Sequence, residues 1–541
     1  IQENLALYQL KDYPLLNEIQ IRSLHQKASK EIKQSLQAFG YYQPEITAEL
    51  IKEEETWRAR YTIDPGPAIH VTKLDIKITG EGASDSEFLD WREDFPLKVG
   101  STLQHKSYET AKQSLLTLAE ERGYFDAEMV RHEIEVRLSD DSAEVHLHFD
   151  TGPRFQFGRI EFHQTGSVLT KNALTRYIPF SLGEPYLNNK VFELQRALLE
   201  SGYFETVEIR PIIDDAEQRK IPIEVQLTRR KRTKYDFGIG YGTNTKGRGS
   251  VGFERRWINN KGHGLNGEIE ISGIGERASM QYRIPLRRAA TDYLYISPSW
   301  EQEETDTTDT ITQSLNFSRV SLQGGKWLQT LSLVYQRERF TVGTERGDTT
   351  LIAPGVSWQR TKADNRLQPR KGWSLYFQVR GGAETLGSDT SFLQVRSHIK
   401  TVLGIGDRGR VISRLNAGAS DVAEFSELPS SHRFFAGGDH SVRGYAFKSL
   451  GPTNSLGEVI GGERLLVGSV EYDHGVSNSI DAAVFYDIGN AFDDTDIDAK
   501  EGAGVGLRWR LPVGAVRLDL ASALSKAGNP WRVHLTIGMD L

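Results

Sequence analysis

A chain of 541 residues with a formal net charge of −7, 26% charged residues and no cysteine is too long for one ordinary domain. It shows no excess of basic residues that would suggest a nucleic-acid partner, and it can hold neither a disulfide framework nor a thiolate metal site. Its mean hydropathy is −0.46 and no run approaches the ~20 apolar residues of a membrane helix, but a transmembrane β-barrel stays open, because alternating lipid-facing and lumen-facing side chains conceal its spans.

The first residues, Ile1-Gln2-Glu3-Asn4, lack the basic start and apolar core of a signal peptide, so an export signal is expected to lie outside this chain. Self-similarity follows at once. Gly40-Tyr41-Tyr42, Gly123-Tyr124-Phe125 and Gly202-Tyr203-Phe204 have their glycines 83 and 79 residues apart. Each follows an amphipathic stretch, such as Tyr108 to Arg122 or Asn189 to Ser201, so each glycine reads as a helix C-cap and each aromatic pair as the lead into a strand. Asp64-Pro65-Gly66-Pro67 and Asp150-Thr151-Gly152-Pro153 keep the same step, 86 residues apart. Just downstream, Val71 to Ile76 and Phe157 to Phe162 alternate as strands do.

The repeated unit is therefore a small α+β domain of strand, helices, strand and strand. Counting back from Gly40 by the 52 residues that separate Val71 from Gly123 lands before residue 1, so the first unit is expected to lack its opening strand. The expected units run over 1–67, 68–152 and 153–232. Within the second, His146 and His148 share a strand face as metal ligands would. No third ligand is evident beside them, and they read as surface residues.

After Arg229-Arg230-Lys231-Arg232 the helical period disappears, and residues 233–541 read as one β domain. Tyr235, Phe237, Ile239 and Tyr241 alternate with Lys234, Asp236, Gly238 and Gly240. Val505, Leu507 and Trp509 alternate with Gly506, Arg508 and Arg510. Trp531, Val533, Leu535, Ile537, Met539 and Leu541 alternate with Arg532, His534, Thr536, Gly538 and Asp540. The 308 residues from Lys234 to Leu541 accommodate about 16 such segments at the length of a tilted spanning strand. That favours a membrane barrel over a large soluble β domain such as a propeller.

Between the eleventh and twelfth of these segments lies a long connection, about Asp421 to Gly462, rich in glycine and aromatic residues and therefore functional rather than disordered. It contains Val442-Arg443-Gly444-Tyr445. A single Arg folded into the lumen would need a carboxylate partner. Alternation places Glu471 on the face of Ser469 and Asp487 on that of Phe485, both pointing inward. The alternative is that the two acids line a wet lumen while Arg443 is solvated in its loop. At the ends of the barrel, Gly238, Gly240 and Gly242 thin the first strand and Gly538 interrupts the last, so packing where the barrel closes should be weak. A curl at Gly538 would leave the first strand's edge able to pair with an incoming strand. Glycines used only for barrel curvature would explain the same pattern. No nucleophile elbow, phosphate loop or His-Glu-x-x-His motif is present, and neither catalysis, a cofactor nor a metal is expected.

The Val442-Arg443-Gly444-Tyr445 motif, the Gly461-Gly462 pair leading to Glu471, and Phe485-Tyr486-Asp487-Ile488-Gly489 resemble the signature of the Omp85 superfamily, and the repeats resemble POTRA domains. Three repeats together with Phe435 to Tyr445 are most similar to its TamA branch, the outer-membrane subunits of the translocation and assembly module. Gly238-Ile239-Gly240-Tyr241-Gly242-Thr243-Asn244, Gly504 to Trp509 and Pro512-Val513-Gly514 add to the likeness, whereas the final Leu541 stands where many outer-membrane barrels end in an aromatic residue.

The resemblance implies POTRA domains followed by a 16-stranded antiparallel transmembrane β-barrel in a Gram-negative outer membrane, with the POTRA domains in the periplasm. It implies an inward sixth extracellular loop whose Arg443 is held by Glu471 and Asp487 with Phe485 beside them, and a lateral seam between the first and last strands. The implied function is assembly or translocation of client outer-membrane proteins such as autotransporters. The implied partners are an inner-membrane-anchored TamB-like protein and outer-membrane lipids. A two-partner-secretion transporter, expected to carry two repeats and a plug helix, and a lipid-transport component between membranes are the alternatives.

Overall fold

The computed structural model describes all residues except 12, 14, 15, 55, 366, 512, 513 and 539–541. Pro512, Val513 and the last alternating residues Met539 to Leu541 lie outside the described residues. By internal contacts the chain forms two units, one drawn from the repeats and one that contains all of 228–541.

In the repeats, the helix Glu18–Gln37 starts on a capping box in which Asn17 and Gln20 exchange side-chain and backbone hydrogen bonds, satisfying donors that a helix start leaves open. The helix His105–Arg122 ends directly on Gly123, whose φ of 83° is left-handed and costs a glycine nothing sterically. Gly40 also has a positive φ, 88°, but it is not the cap expected of it. The cap is Ala38, still helical, and the chain continues through short i→i+3 bonds from Phe39 to Leu36 and from Gly40 to Gln37 before it turns. A tightened last turn of this kind satisfies carbonyls that a helix end leaves open.

Three small sheets follow the repeats. In the first, β1 (Glu45–Glu53) pairs with β2 (Thr56–Asp64). In the second, β3 (His70–Thr79), β4 (Glu128–Arg137) and β5 (Ser142–Asp150) are ordered β3-β5-β4, with β5 central, parallel to β3 and antiparallel to β4. In the third, β6 (Gln156–Thr165), β7 (Phe204–Pro211) and β8 (Lys220–Arg229) are ordered β6-β8-β7. Alternation along β5 sends Ala143, Val145, Leu147 and Phe149 into a core shared with Tyr108, Ala111, Leu115 and Ala119 of the helix His105–Arg122. Burying side chains the size of Leu or Phe contributes about 1.5–3 kcal/mol each.

The remaining strands form one 16-stranded sheet. They are β9 (Thr233–Gly242), β10 (Lys246–Arg255), β11 (Gly264–Ser272), β12 (Gly275–Pro285), β13 (Asp292–Glu304), β14 (Thr308–Gln323), β15 (Trp327–Val342), β16 (Glu345–Ala363), β17 (Lys371–Gly382), β18 (Phe392–Ile405), β19 (Gly409–Val422), β20 (Arg464–Gly475), β21 (Ile480–Phe492), β22 (Lys500–Leu511), β23 (Gly514–Ala523) and β24 (Trp531–Gly538). Each strand pairs antiparallel with its neighbour in the chain, and the sheet curls until its two ends, β9 and β24, meet in a nearly closed barrel.

The barrel is inverted relative to a soluble domain. Tyr235, Phe237, Ile239 and Tyr241 on β9 all point outward, Ile239 at 98% exposure. On β21 the apolar Val484, Tyr486 and Ile488 are exposed, whereas Asp487 is 0% exposed. Glu338, Gln394 and Arg508 are buried inside in the same way. A β domain in water would bury the first set and solvate the second; lipid outside and polar contacts inside demand this arrangement. No described helix is long and apolar enough to cross a membrane.

Candidate functional site in the barrel lumen

The chain between β19 and β20 folds back on itself as a loop. Isolated bridges join Phe434 to Gly462, Ala436 to Leu450 and Thr453 to Val459. Ala436, Val442, Tyr445 and Leu450 pack with Val467 of β20 and Ala523 of β23 into a small apolar cluster, which seats the loop against the inner wall. Its first limb is anchored by the buried Glu338 of β15, which accepts from the Ser430 hydroxyl at 3.0 Å and the Ser431 amide at 3.2 Å. Arg433 donates to the Leu428 and Ile460 carbonyls and to Glu345.

At the inner end of the loop stands Arg443. Its Nε and Nη2 bond Asp487 at 2.7 and 2.9 Å, its Nη1 reaches Glu471 at 2.6 Å and Asp519 at 3.2 Å, and its own backbone amide donates to Asp487 at 3.0 Å. The guanidinium carbon lies 3.4 Å from the centroid of the Phe485 ring. A planar fork that meets one carboxylate with two parallel bonds, while its face covers an aromatic ring, is geometry that Arg supplies and Lys does not. A desolvated cation over a ring adds about 2 kcal/mol.

Several members of this cluster escaped the sequence reading. Arg508 of β22 is completely buried and bonds Glu471 through Nε at 3.0 Å and Asp519 through Nη1. Arg414 donates to Ser469 at 3.0 Å and lies 3.9 Å from Asp487, and Arg410 bonds Asp473 at 2.8 Å. Arg410, Arg414, Arg443 and Arg508 thus face Glu471, Asp473, Asp487 and Asp519, so the buried charges compensate one another. The signal available was the same alternation that placed Glu471. Asp519 sits between the outward Leu518 and Leu520, and Arg508 between the outward Leu507 and Trp509. The closeness of β20, β22 and β23 across the curved wall is not written in any one strand.

The loop also reaches the place where the barrel closes. The Gly444 amide donates to Nε2 of His534 on β24 at 2.9 Å, so the ring proton sits on Nδ1, which bonds Asp439. Asn244, in the turn after β9, turns its amide so that the nitrogen donates to Asp439 Oδ1 and the oxygen accepts from the Asp439 backbone, both at 3.2 Å. Asp439 therefore touches both edges of the seam. Between the edges themselves the described contacts are few. The Thr243 amide donates to the Leu535 carbonyl at 3.3 Å, and the Leu535 amide donates to Thr243 Oγ1 at 2.6 Å. No ladder joins β9 to β24 among the described residues.

Of the glycines singled out in the sequence, Gly238 and Gly240 lie opposite Ser250 and Arg248 of β10, and Gly242 lies 3.8 Å from the Leu535 carbonyl measured from an ideal Cβ. Gly538 pairs with Ala515 of β23, and the residues that a curl beyond it would carry lie outside the described residues.

A model of the Omp85 superfamily domain matches residues 231–540, a model of TamA POTRA domain 1 matches 1–65, and a POTRA model described as a surface antigen variable number repeat matches 74–152 and 155–230. The outer membrane protein assembly factor BamA of Neorickettsia risticii is 22% identical over 473 residues, covering 81% of this chain and 62% of that protein. BamA of Nitratidesulfovibrio vulgaris is 22% identical over 374 residues, covering 64% of this chain and 46% of that protein. The chain spans less than two thirds of the length of these relatives. The crystal structure of BamA from Haemophilus ducreyi lacking POTRA domains 1-3 shares the fold with a TM-score of 0.71 at 16% identity, covering 87% of this chain and 99% of that one.

Proposed function

The chain belongs to the Omp85 superfamily, and from that premise we propose that it is an assembly and translocation factor whose barrel passes client proteins, autotransporters among them, into or across the membrane at the β9–β24 seam. It is a protein of the Gram-negative outer membrane with periplasmic POTRA domains. In this reading the POTRA domains occupy 1–67, 68–152 and 153–232 and the barrel 233–541. They dock an inner-membrane-anchored TamB-like partner, and the match of residues 1–65 to the TamA form of the first POTRA domain supports that branch. β3 and β4 are the outer strands of their sheet, and such edges accept an extended segment from another chain by strand addition.

The observation that carries the proposal is the seam. Every other neighbouring pair in the barrel is joined by a ladder, while among the described residues β9 and β24 are joined through Thr243 and Leu535. The edge of β9 thus presents backbone donors and acceptors that a client strand satisfies. Arg443 and its acids hold the loop inward as a lock, and Asp439 ties the loop to both sides of the seam. Photo-crosslinkers placed at Ile239 and Ile537 test this in native membranes. Client adducts at both positions are expected; clients that assemble without forming adducts at either position would remove the seam from the mechanism.

A further inference from the structure

The outer face of the second POTRA sheet carries a cluster of titratable side chains that has no part in the barrel site. Because Ala143, Val145, Leu147 and Phe149 of β5 enter the core, alternation turns Glu144, His146 and His148 to the opposite face. Parallel pairing with β3 sets Asp75 directly opposite His146. Asp75 Oδ2 lies 2.8 Å from His148 Nε2 and 3.3 Å from His146 Nδ1, and the three ligand atoms fall within 4.8 Å of one another. The group that the sequence reading did not find beside the two histidines is thus Asp75, supplied by a strand about 70 residues earlier in the chain.

Further features fit a metal site. Bonds of ~2.0–2.2 Å from a tetrahedral ion place its ligand atoms about 3.3 Å apart; Asp75 Oδ2 and His146 Nδ1 already stand at 3.3 Å, and Oδ2 and His148 Nε2, hydrogen-bonded at 2.8 Å, would part by about half an ångström to admit the ion. Lys77 sits across the Asp75 carboxylate, 3.1 Å from Oδ1 and 3.4 Å from Oδ2, and Oδ2 is the oxygen aimed at the two rings. His146 is 4% exposed, and its Nε2 faces Glu144 at 3.7 Å and Glu135 at 3.9 Å. Carboxylates on the far side of a ligating imidazole fix its tautomer and strengthen it as a ligand. His148 and Asp75 are half-buried at the sheet surface, so a fourth position faces solvent.

We propose that Asp75, His146 and His148 form a site for a divalent transition-metal ion of the zinc class, with three protein ligands and water in the fourth position. An imidazole-rich set with one carboxylate selects such ions over calcium or magnesium, which favour all-oxygen shells. The site lies on the open face of a central strand and does not depend on the seam, so it stands or falls apart from the assembly reading.

The test uses the full chain in detergent, stripped with a chelator and titrated with Co2+ while the visible d–d absorption is followed, then displaced with Zn2+. One equivalent of Co2+ with tetrahedral absorption, displaced by one equivalent of Zn2+, is expected. Asp75→Asn and the double variant His146→Ala/His148→Ala should abolish it, while Glu144→Gln should weaken affinity about 10-fold, as loss of an outer carboxylate does. These side chains lie outside the apolar core, so circular dichroism should show the variants folded. Absence of stoichiometric uptake in the wild type, or uptake that persists in the folded double variant, overturns the proposal.

Discussion

Gly502 lets the carbonyl of Arg443 come within 2.0 Å of the point where a Cβ would stand. Any side chain there would occupy the loop's own backbone. The same strand opens further along its inner face. A Cβ on Gly504 would meet the Phe485 ring at 2.5 Å, and one on Gly506 would meet Asp519 Oδ1 at 2.0 Å and Arg508 Nη1 at 2.6 Å. Gly502, Gly504 and Gly506 thus hollow a track in β22 that receives the loop, the ring beneath its guanidinium and the ions around it.

Gly502→Val should therefore unseat the loop without removing a charged group. Overpacking in a close-fitted site costs about 1–3 kcal/mol, enough to shift a seated loop toward its released form. Limited proteolysis of the region 423–463 should become faster, and client assembly should fall with it. A loop as resistant as the wild type would show that the track does not seat it.

Arg443→Ala strips Asp487 of its two-bonded partner and leaves Arg508 to hold Glu471 and Asp519. Removing one member of a buried ion network costs about 3–5 kcal/mol. Arg443→Lys should recover only part of this, since a point charge cannot bond Asp487 twice while reaching Glu471. The chain has no cysteine, so a single Ala446→Cys serves as a reporter on the loop. Its maleimide labelling should be fastest in the Ala variant, intermediate in Lys and slowest with Arg443. Equal rates in all three would deny the lock.

How much of this was legible depended on the range of each relationship. The inward faces of Glu471 and Asp487 follow from a period of two within one strand, and a long loop bearing the Val442-Arg443-Gly444-Tyr445 motif stands out against short connections. Sixteen alternating segments in a row likewise announce a barrel, because lipid outside and ions inside leave the same mark on every strand. Asp519 and Arg508 carry the same local mark, yet their meeting with Arg443 depends on wall curvature and on glycines whose purpose shows only when the loop is seated. Asp75 is harder still. Its approach to His146 is set by a parallel register between strands separated by two α-helices and a third strand, and no local period encodes that. Gly40 misled for the opposite reason: the local signal for a helix end was real, but a tightened final turn carried the chain past it.

Asp439 bonds His534 on one side of the seam and Asn244 on the other. Asp439→Ala should release both at once and leave the Gly444 amide bond to His534 as the loop's hold on β24. Neutral hydrogen bonds contribute about 0.5–1.5 kcal/mol each, and those to charged groups about 1.5–3, so the seam should open measurably while the Arg443 cluster stays intact. Crosslinking from Ile239 to clients or lipid should rise, with Ala446→Cys labelling little changed. A rise in both readouts would mean that Asp439 supports the loop as a whole; no rise at Ile239 would mean that it does not fasten the seam.

Gly538→Val tests whether the last strand must yield. Glycine weakens a strand by admitting conformations that a β-branched residue excludes, and Gly538 pairs with Ala515 of β23 as the last of the described residues of β24. Valine there should extend regular pairing with Ala515 and stiffen the edge that a client displaces. Assembly of a model autotransporter in reconstituted membranes should slow, with adducts at Ile537 falling in parallel, while heat stability of the barrel stays the same or rises. If client assembly proceeds at the wild-type rate, Gly538 serves barrel curvature alone, and opening must rely on the sparse Thr243–Leu535 contacts.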